Sequence, residues 1–366
     1  MPSRPTTVGI IGLGYGRAHI AGFQAAGIQV LALCQRDTEA AAALARQYQV
    51  PHVYGRWQDM LEQARPDIVV IATPPALHLP ILMAATAAGC HVVCEKPLAT
   101  SAAQARAMVA AVAASPCSAI TSFNWRFAPA TQRMKQLVEA GHLGRVFHVN
   151  ARWFNPAWVD ASTAPTWRMD RAQAGYGALG DLGVHLVDLV QWLFGPVAKV
   201  MASSATAHAG RTVPGGARSA DAEDFSHVIA TLQSGASVAI TVSRVARGLN
   251  EHSLEAYGEL GALAMRQTRA GESWHLGELR AARGTAVFEP VPIPATQDGT
   301  ALSTDRLELT GQATICPMVQ QLLAAIKGGR PVTPSLQDGA SAQAVLDAVL
   351  ESSRAGHWVA VAHSPA

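Results

Sequence analysis

Along the first 125 residues, short β-branched runs alternate with Ala-rich stretches, and the two kinds of segment follow each other regularly. The runs predict strands at Val8–Ile11, Val30–Cys34, Ile68–Ala72, His91–Cys94 and Ala119–Ser122. Near-continuous apolar strands of this length belong to a parallel sheet covered on both faces. The stretches between them, Thr38–Tyr48, Leu79–Ala88 and Ser101–Ala114, hold the Ala, Leu and Met that favour helix. This half of the chain predicts a doubly wound α/β domain.

After Asn124 the pattern changes, and a second domain is expected to begin. A helix is predicted at Pro129–Ala140, a strand at Arg145–Phe154 and a Pro/Trp-rich loop over Asn155–Trp167. From Lys199 onward, Ser226–Leu232, Ser237–Ser243, Ser253–Tyr257 and Gly261–Met265 alternate apolar and polar between Gly turns, as antiparallel strands do. His208–Ala220, rich in Gly, Ala and Arg, reads as a mobile linker, and a last helix is expected at about Ala340–Ser353. The expected domains are 1–125, binding a dinucleotide, and 126–366, binding substrate and pairing subunits.

Composition narrows the function. The 366 residues suit two domains of roughly 100–200 residues each. Lys and Arg number 28 against 26 Asp and Glu, and charged residues are 15% of the chain. That is the wrong balance for a nucleic-acid binder, which needs clustered cations. Small molecules and copies of the chain itself are the expected partners. Cys34, Cys90, Cys94, Cys117 and Cys316 have no disulfide spacing, which fits a reducing cytoplasm. Cys90 and Cys94 lack a second cluster to complete a zinc site, so no metal is expected. Only the short polar Met1–Thr7 precedes the first strand, and no apolar span of roughly 18 residues follows, so neither export nor a membrane span is expected.

Candidate chemistry begins with Gly12, Gly14 and Gly16, between the first strand and a helix, with Tyr15 and Arg17 among them. Glycines there let main chain approach a pyrophosphate at a helix N-terminus. The spacing departs from the full dinucleotide fingerprint, because Arg17 stands at the third glycine position. About 20 residues on, where an acid usually holds the ribose 2′-OH, the second strand ends in Gln35-Arg36. Loss of the acid tolerates a 2′-phosphate, and Arg36 offers a guanidinium to bind it, so NADP is expected over NAD. Thr73, Pro74, Leu77 and His78 form a loop at the carboxyl edge of the predicted sheet, and Glu95-Lys96-Pro97 ends the next strand at the same edge. An ammonium there can stabilise negative charge on a substrate oxygen.

In the second half, Gly175–Gly195 reads as one helix. Leu182, Leu186, Leu189 and Leu193 share an apolar face, while Asp181, His185 and Asp188 share another. A polar trio on so apolar a helix is costly unless hydrogen-bonded or facing a cavity. A histidine there can accept a hydroxyl proton near neutral pH, and a carboxylate beside it can orient it.

Taken in order, Gly12-x-Gly14, Thr73-Pro74 with His78, Glu95-Lys96-Pro97 and Gly177-x-Leu179-x-Asp181-x-Gly183-x-His185-x-x-Asp188 resemble the glucose-fructose oxidoreductase, inositol dehydrogenase and rhizopine-catabolism (Gfo/Idh/MocA) family. Glu255-x-Tyr257-Gly258 and Pro334-Ser335-x-x-Asp338-Gly339 extend the resemblance over nearly the whole chain. It implies an N-terminal Rossmann domain and a C-terminal α+β domain with a large open, mainly antiparallel sheet. It further implies an NAD(P)-dependent dehydrogenase of sugars or polyols, with Lys96 and His185 as catalytic pair and Asp181 orienting substrate and histidine. Asn124 and Arg126 resemble a family segment near the nicotinamide, which implies Asn124 at the cofactor and Arg126 at the substrate, and Trp167-Arg168 resembles a pair lining the sugar pocket. The open sheet implies a homodimer or homotetramer, and the last helix is expected to pack back toward the N-terminal domain. Two other readings stay open: a glycoside-cleaving enzyme that retains its cofactor and works by oxidation, elimination and reduction, and a non-enzymatic dinucleotide sensor. Keeping Lys96, Asp181 and His185 weighs against the sensor.

Overall fold

A computed structural model describes residues 6–208, 210–211, 220–271, 274–294, 302–329 and 331–362. The chain divides into two compact units. The first is Met1–Ala99 with Ala103–Phe127 and Gly299–Ala340; the second is Thr100–Ala102 with Ala128–Asp298 and Ser341–Ala366. A single crossing at residue 125 was the expectation from sequence. In the structure the chain instead returns to the first unit over 299–340. Most of the expected linker, residues 209 and 212–219, lies outside the described residues.

The first unit runs β1 (Thr7–Ile11), α1 (Gly16–Ala25), β2 (Gln29–Cys34), α2 (Thr38–Gln47), β3 (His52–Tyr54), α3 (Trp57–Gln63), β4 (Ile68–Ile71), α4 (His78–Ala87), β5 (His91–Cys94), α5 (Ala102–Ala113) and β6 (Ala119–Thr121). All six strands are parallel, in the order β3-β2-β1-β4-β5-β6. Alternate side chains enter two cores. Val8, Ile10, Val70 and Val93 face one, with Ile20 and Phe23 of α1. Ile11, Val69, Ile71 and Val92 face the other, with Ile81, Leu82 and Met108. Burial on both faces is why these strands read as unbroken apolar runs. The strand β3 and helix α3 went unseen in the sequence, being too short to establish a period.

The second unit opens with α6 (Pro129–Glu139), β7 (Val146–Phe154) and α7 (Arg171–Ala174). A π-helical turn, Leu179–Gly183, then leads into α8 (Val184–Phe194). The strands β8 (Val197–Ala205), β9 (Phe225–Leu232), β10 (Ser237–Ser243), β11 (Glu251–Gly258), β12 (Gly261–Thr268), β13 (Glu278–Arg283) and β14 (Glu289–Pro290) follow.

The return to the first unit is α9 (Arg306–Thr310), a second π-helical turn at Gly311–Ile315, and α10 (Cys316–Gly328). Ile315, Met318, Val319 and Leu322 join the core that holds Ile20 and Phe23. A Cβ on Gly22 would lie 2.6 Å from Ile315 Cγ2, and one on Gly311 would lie 2.1 Å from the Ala18 carbonyl oxygen, so both glycines are needed for this crossing.

The chain ends in α11 (Leu336–Ala355) and β15 (Val359–Ala360), completing a sheet ordered β14-β13-β12-β11-β7-β10-β9-β8-β15. Its pairs are antiparallel except β7 with β10, the mainly antiparallel sheet expected. The last helix begins in the first unit, where Leu336 and Ala340 join one of its cores, and its residues from Ser341 on belong to the second unit. There the N–H groups of Ala202 and Ser204 in β8 donate to Ser352 Oγ and Ser353 Oγ at 3.0 and 2.9 Å. Among the described residues no helix is long and apolar enough to cross a membrane.

Candidate cofactor and substrate sites

In the first unit, the turn after β1 brings three strand ends together through main chain alone. Gly12 has φ +88°, its N–H donates to the Cys34 carbonyl at 2.9 Å, and a Cβ there would lie 2.4 Å from the Ala72 carbonyl oxygen. No side chain fits this position. Gly14 is the opposite case, since a Cβ there would meet nothing within 4 Å. Its bare main chain faces open space that a side chain would fill. The helix α1 begins at Gly16 with no acid in its first turn and no side-chain cap, leaving its positive end to the space in front of it. Among the described residues the buried Thr73 hydroxyl of the loop after β4 has no hydrogen-bond partner, and Leu77 nearby in sequence is 45% exposed. An uncapped helix start, an exposed glycine main chain, an orphaned hydroxyl and an exposed apolar side chain fit a dinucleotide.

Other expected cofactor residues hold this loop instead of standing open beside it. His78 is buried, with Nε2 2.9 Å from the Thr73 carbonyl and Nδ1 3.0 Å from that of Leu98, so its ring ties the two loops at the sheet edge. Burial lowers its pKa, favouring the neutral ring. Glu95 is also buried. Its Oε1 is 2.7 Å from His19 Nε2, and its Oε2 accepts the Lys96 N–H at 3.2 Å. Burial alone would raise Glu95, but the hydrogen bond and charge of His19, with the charge of Lys96, hold it below the usual carboxylate range. Lys96 is half-buried and precedes a cis peptide to Pro97. His19 carried no separate signal in the sequence.

Asn124 donates to Thr314 Oγ1 at 2.7 Å and lies 3.5 Å from the Tyr15 hydroxyl, linking the glycine turn to the returning segment. Arg17 also turns to that segment, with a guanidinium nitrogen 3.5 Å from Asp305, the residue capping α9. Arg126 is buried, donating to Asp338 at 3.1 Å and Thr333 Oγ1 at 3.3 Å. Gln35 donates its N–H to Tyr54, while Arg36 is exposed just past β2. The neighbouring Asp37 accepts the Ala40 N–H as the cap of α2.

In the second unit, the helix carrying Asp181 and His185 is wider at its start than the sequence implied. The Val184 N–H reaches back five residues to the Leu179 carbonyl, so Asp181 sits in a π turn and His185 in the α-helix that follows. The expected common face, which assumes unbroken α-helical spacing, is interrupted between them. Asp181 is half-buried and paired with Arg244, and its Oδ1 lies 3.5 Å from Arg168 Nε. His185 is 3% exposed, and its ring stacks on Trp153 of β7 at 5.5 Å. Asp188 is buried.

Arg244 gave no sign of itself in the sequence, where it is one arginine just past a strand. The parallel pair β7–β10 brings it beside Asn155 and Trp158. Its Nη1 donates to Asn155 Oδ1 at 2.9 Å, and its guanidinium lies 5.3 Å from the Trp158 ring centre. Burial, with the charge of Arg168 nearby, pulls its pKa down to about 9. The Arg168 guanidinium lies 4.4 Å from the Trp167 ring centre. One carboxylate, two planar cations and the half-buried Trp167 indole can present hydrogen-bonding groups and a flat apolar surface to a polyhydroxylated molecule.

Two family descriptions match the sequence: an oxidoreductase family with an NAD-binding Rossmann fold over residues 6–123, and a GFO/IDH/MocA C-terminal domain over residues 131–264. Levoglucosan dehydrogenase of Pseudarthrobacter phenanthrenivorans is 28% identical over 97% of each chain. Human glucose-fructose oxidoreductase domain-containing protein 2 is 30% identical over 97% of this chain and 93% of its own length. Among solved structures, levoglucosan dehydrogenase in complex with NADH and levoglucosan superposes with a TM-score of 0.88 at 26% identity, covering 99% of this chain and 100% of that one.

Proposed function

This chain belongs to the Gfo/Idh/MocA family of oxidoreductases, and on that footing we propose that it moves a hydride between a nicotinamide dinucleotide and a hydroxyl-bearing carbon of a sugar or polyol. The observation that carries the reading is the glycine turn of the first unit, whose main chain, open at Gly14, suits a pyrophosphate. Full-length similarity to a sugar dehydrogenase supports the substrate class. Gly12, Gly14, Gly16 and Thr73 would hold the cofactor, which when bound accepts or returns the hydride at its nicotinamide.

The protein's own residues handle the proton and the oxygen charge. His185 takes the proton of the reacting hydroxyl in oxidation and returns it in reduction. Lys96 hydrogen-bonds the same oxygen and stabilises its developing charge. Asp181, held by Arg168 and Arg244, accepts a hydroxyl of the substrate and keeps it aligned. NADP is the proposed preference, because Gln35 replaces the acid at the end of β2 and Arg36 is exposed beside it.

A screen of sugars and polyols followed by nicotinamide absorbance tests the reading. His185→Ala should lower kcat on the best substrate about 10²–10⁴-fold. Full activity in that variant overturns the acid/base assignment. Arg36→Ala should raise KM for NADP and leave that for NAD unchanged, and a strong preference of the unmodified enzyme for NAD overturns the cofactor choice.

A further inference from the structure

The residues leading into β9 contain a buried carboxylate that the reaction does not use. Glu223 is 2% exposed and sits 42 positions after Asp181 in the chain. Its Oε1 accepts the N–H of Gly177 at 2.7 Å and that of Leu179 at 3.1 Å, and its Oε2 lies 3.3 Å from Arg171 Nη2. The Glu223 main chain makes a third bond, accepting the Ala178 N–H at 2.7 Å. Thus Glu223 receives three consecutive N–H groups of the segment that enters the π turn, Gly177, Ala178 and Leu179. A helix start leaves such groups without intrahelical partners.

Two further contacts make the placement tight. A Cβ on Gly177 would lie 2.0 Å from the Glu223 carbonyl oxygen, so the two backbones approach as closely as glycine permits. The next residue, Asp224, accepts the Arg244 N–H through its carbonyl at 2.9 Å. Adjacent residues therefore hold the turn that carries Asp181 and the main chain of the arginine that pairs with it. Burying a carboxylate is costly, and burial pushes Glu223 above the usual range against the opposing effects of its hydrogen bonds and Arg171. A neutral cap would satisfy the same N–H groups at less cost.

We propose that Glu223 is a positioning residue for the reaction, setting where the π turn begins and so where Asp181 stands against Arg244 and His185. The inference rests on the roles given above to Asp181 and His185. Glu223 acts through the turn and not by touching substrate or cofactor. Its carboxylate matters because it anchors two N–H groups and Arg171 at once.

The test uses the full-length enzyme with its cofactor and best sugar. Glu223→Ala should lower kcat about 10–100-fold per cofactor-binding protomer, the scale expected when reacting groups are displaced by about an ångström. The cofactor Kd, read by nicotinamide fluorescence, should stay unchanged. Glu223→Gln keeps an acceptor for the backbone N–H groups and should recover most of the loss. A merely structural role predicts that Glu223→Ala reduces only the fraction of cofactor-binding protomers, with kcat per competent protomer unchanged, and that result overturns the proposal. A double-mutant cycle settles the route: with Asp181→Ala already present, Glu223→Ala should cost little more. Additive losses overturn action through Asp181. Should Asp181→Ala and His185→Ala both keep full activity, the functional roles fail instead, and an unaltered Asp181→Ala beside an impaired Glu223→Ala also overturns the positioning route.

Discussion

Among the described residues, π-helical turns occur at Gly311–Ile315 in the first unit and at Leu179–Gly183 in the second, and the same backbone device serves different ends. The first is set by packing. Gly311 meets the Ala18 carbonyl, Ile315 enters the apolar core, and Thr314 Oγ1 donates to the Thr310 carbonyl and receives Asn124. The second is set by charge. Glu223 receives its leading N–H groups, and Arg168 and Arg244 converge on Asp181 from separate segments. A wide turn is common at functional sites, but the turn does not itself mark function. What distinguishes the two is the company each keeps.

That contrast is open to experiment. The largest effect is expected at Arg244. Arg244→Met removes one of two cations from Asp181 and should cut kcat/KM for the sugar about 100-fold, with the cofactor Kd unchanged. An unchanged sugar kcat/KM would put the charged turn on the same footing as the packed one. The opposite signature is expected at Gly311. There, Gly311→Ala forces a Cβ against the Ala18 carbonyl and should destabilise the protein by about 3 kcal/mol, seen as a lower Tm, while kcat per folded protomer holds. Thr314→Val withdraws the acceptor from the buried Asn124 amide and should cost about 1–2 kcal/mol in denaturant unfolding. A loss of turnover larger than the loss of folded protein would give the first turn a functional share.

The smallest effect concerns Asp338, whose carboxyl the Arg126 guanidinium and the Ser335 hydroxyl and N–H hold below its ordinary value against the upward pull of burial. A carboxyl depressed in the folded state contributes stability that is present above its unfolded pKa and lost as pH falls through the folded value. Stability should therefore fall on acidification below about pH 4, and Arg126→Met should flatten that dependence. Urea midpoints measured across that range decide it.

The two units also differed in how much could be read in advance. The glycine turn was legible because its chemistry is main-chain chemistry, and only glycine supplies a φ of +88° beside a neighbouring carbonyl. His78 and Glu95 were legible as members of the sheet edge, but their partners were not. That His78 bridges two carbonyls and Glu95 meets His19 depends on parallel strands lying side by side. Arg126, expected near substrate, has donors committed to Asp338 and Thr333, residues more than two hundred positions away.

By itself, then, the sequence determined the period of the longer elements, the doubly wound parallel sheet, the alternation of the second sheet and the identity of the motif residues, because these follow from local backbone preference and from burial on one face or both. Tertiary structure decided the return of 299–340 to the first unit, the two π turns, and the gathering of Arg168, Arg244 and Glu223 around the Asp181 segment. A wide turn depends on what packs against it, and a charged cluster depends on strand pairing that joins distant residues; neither leaves a period in the chain.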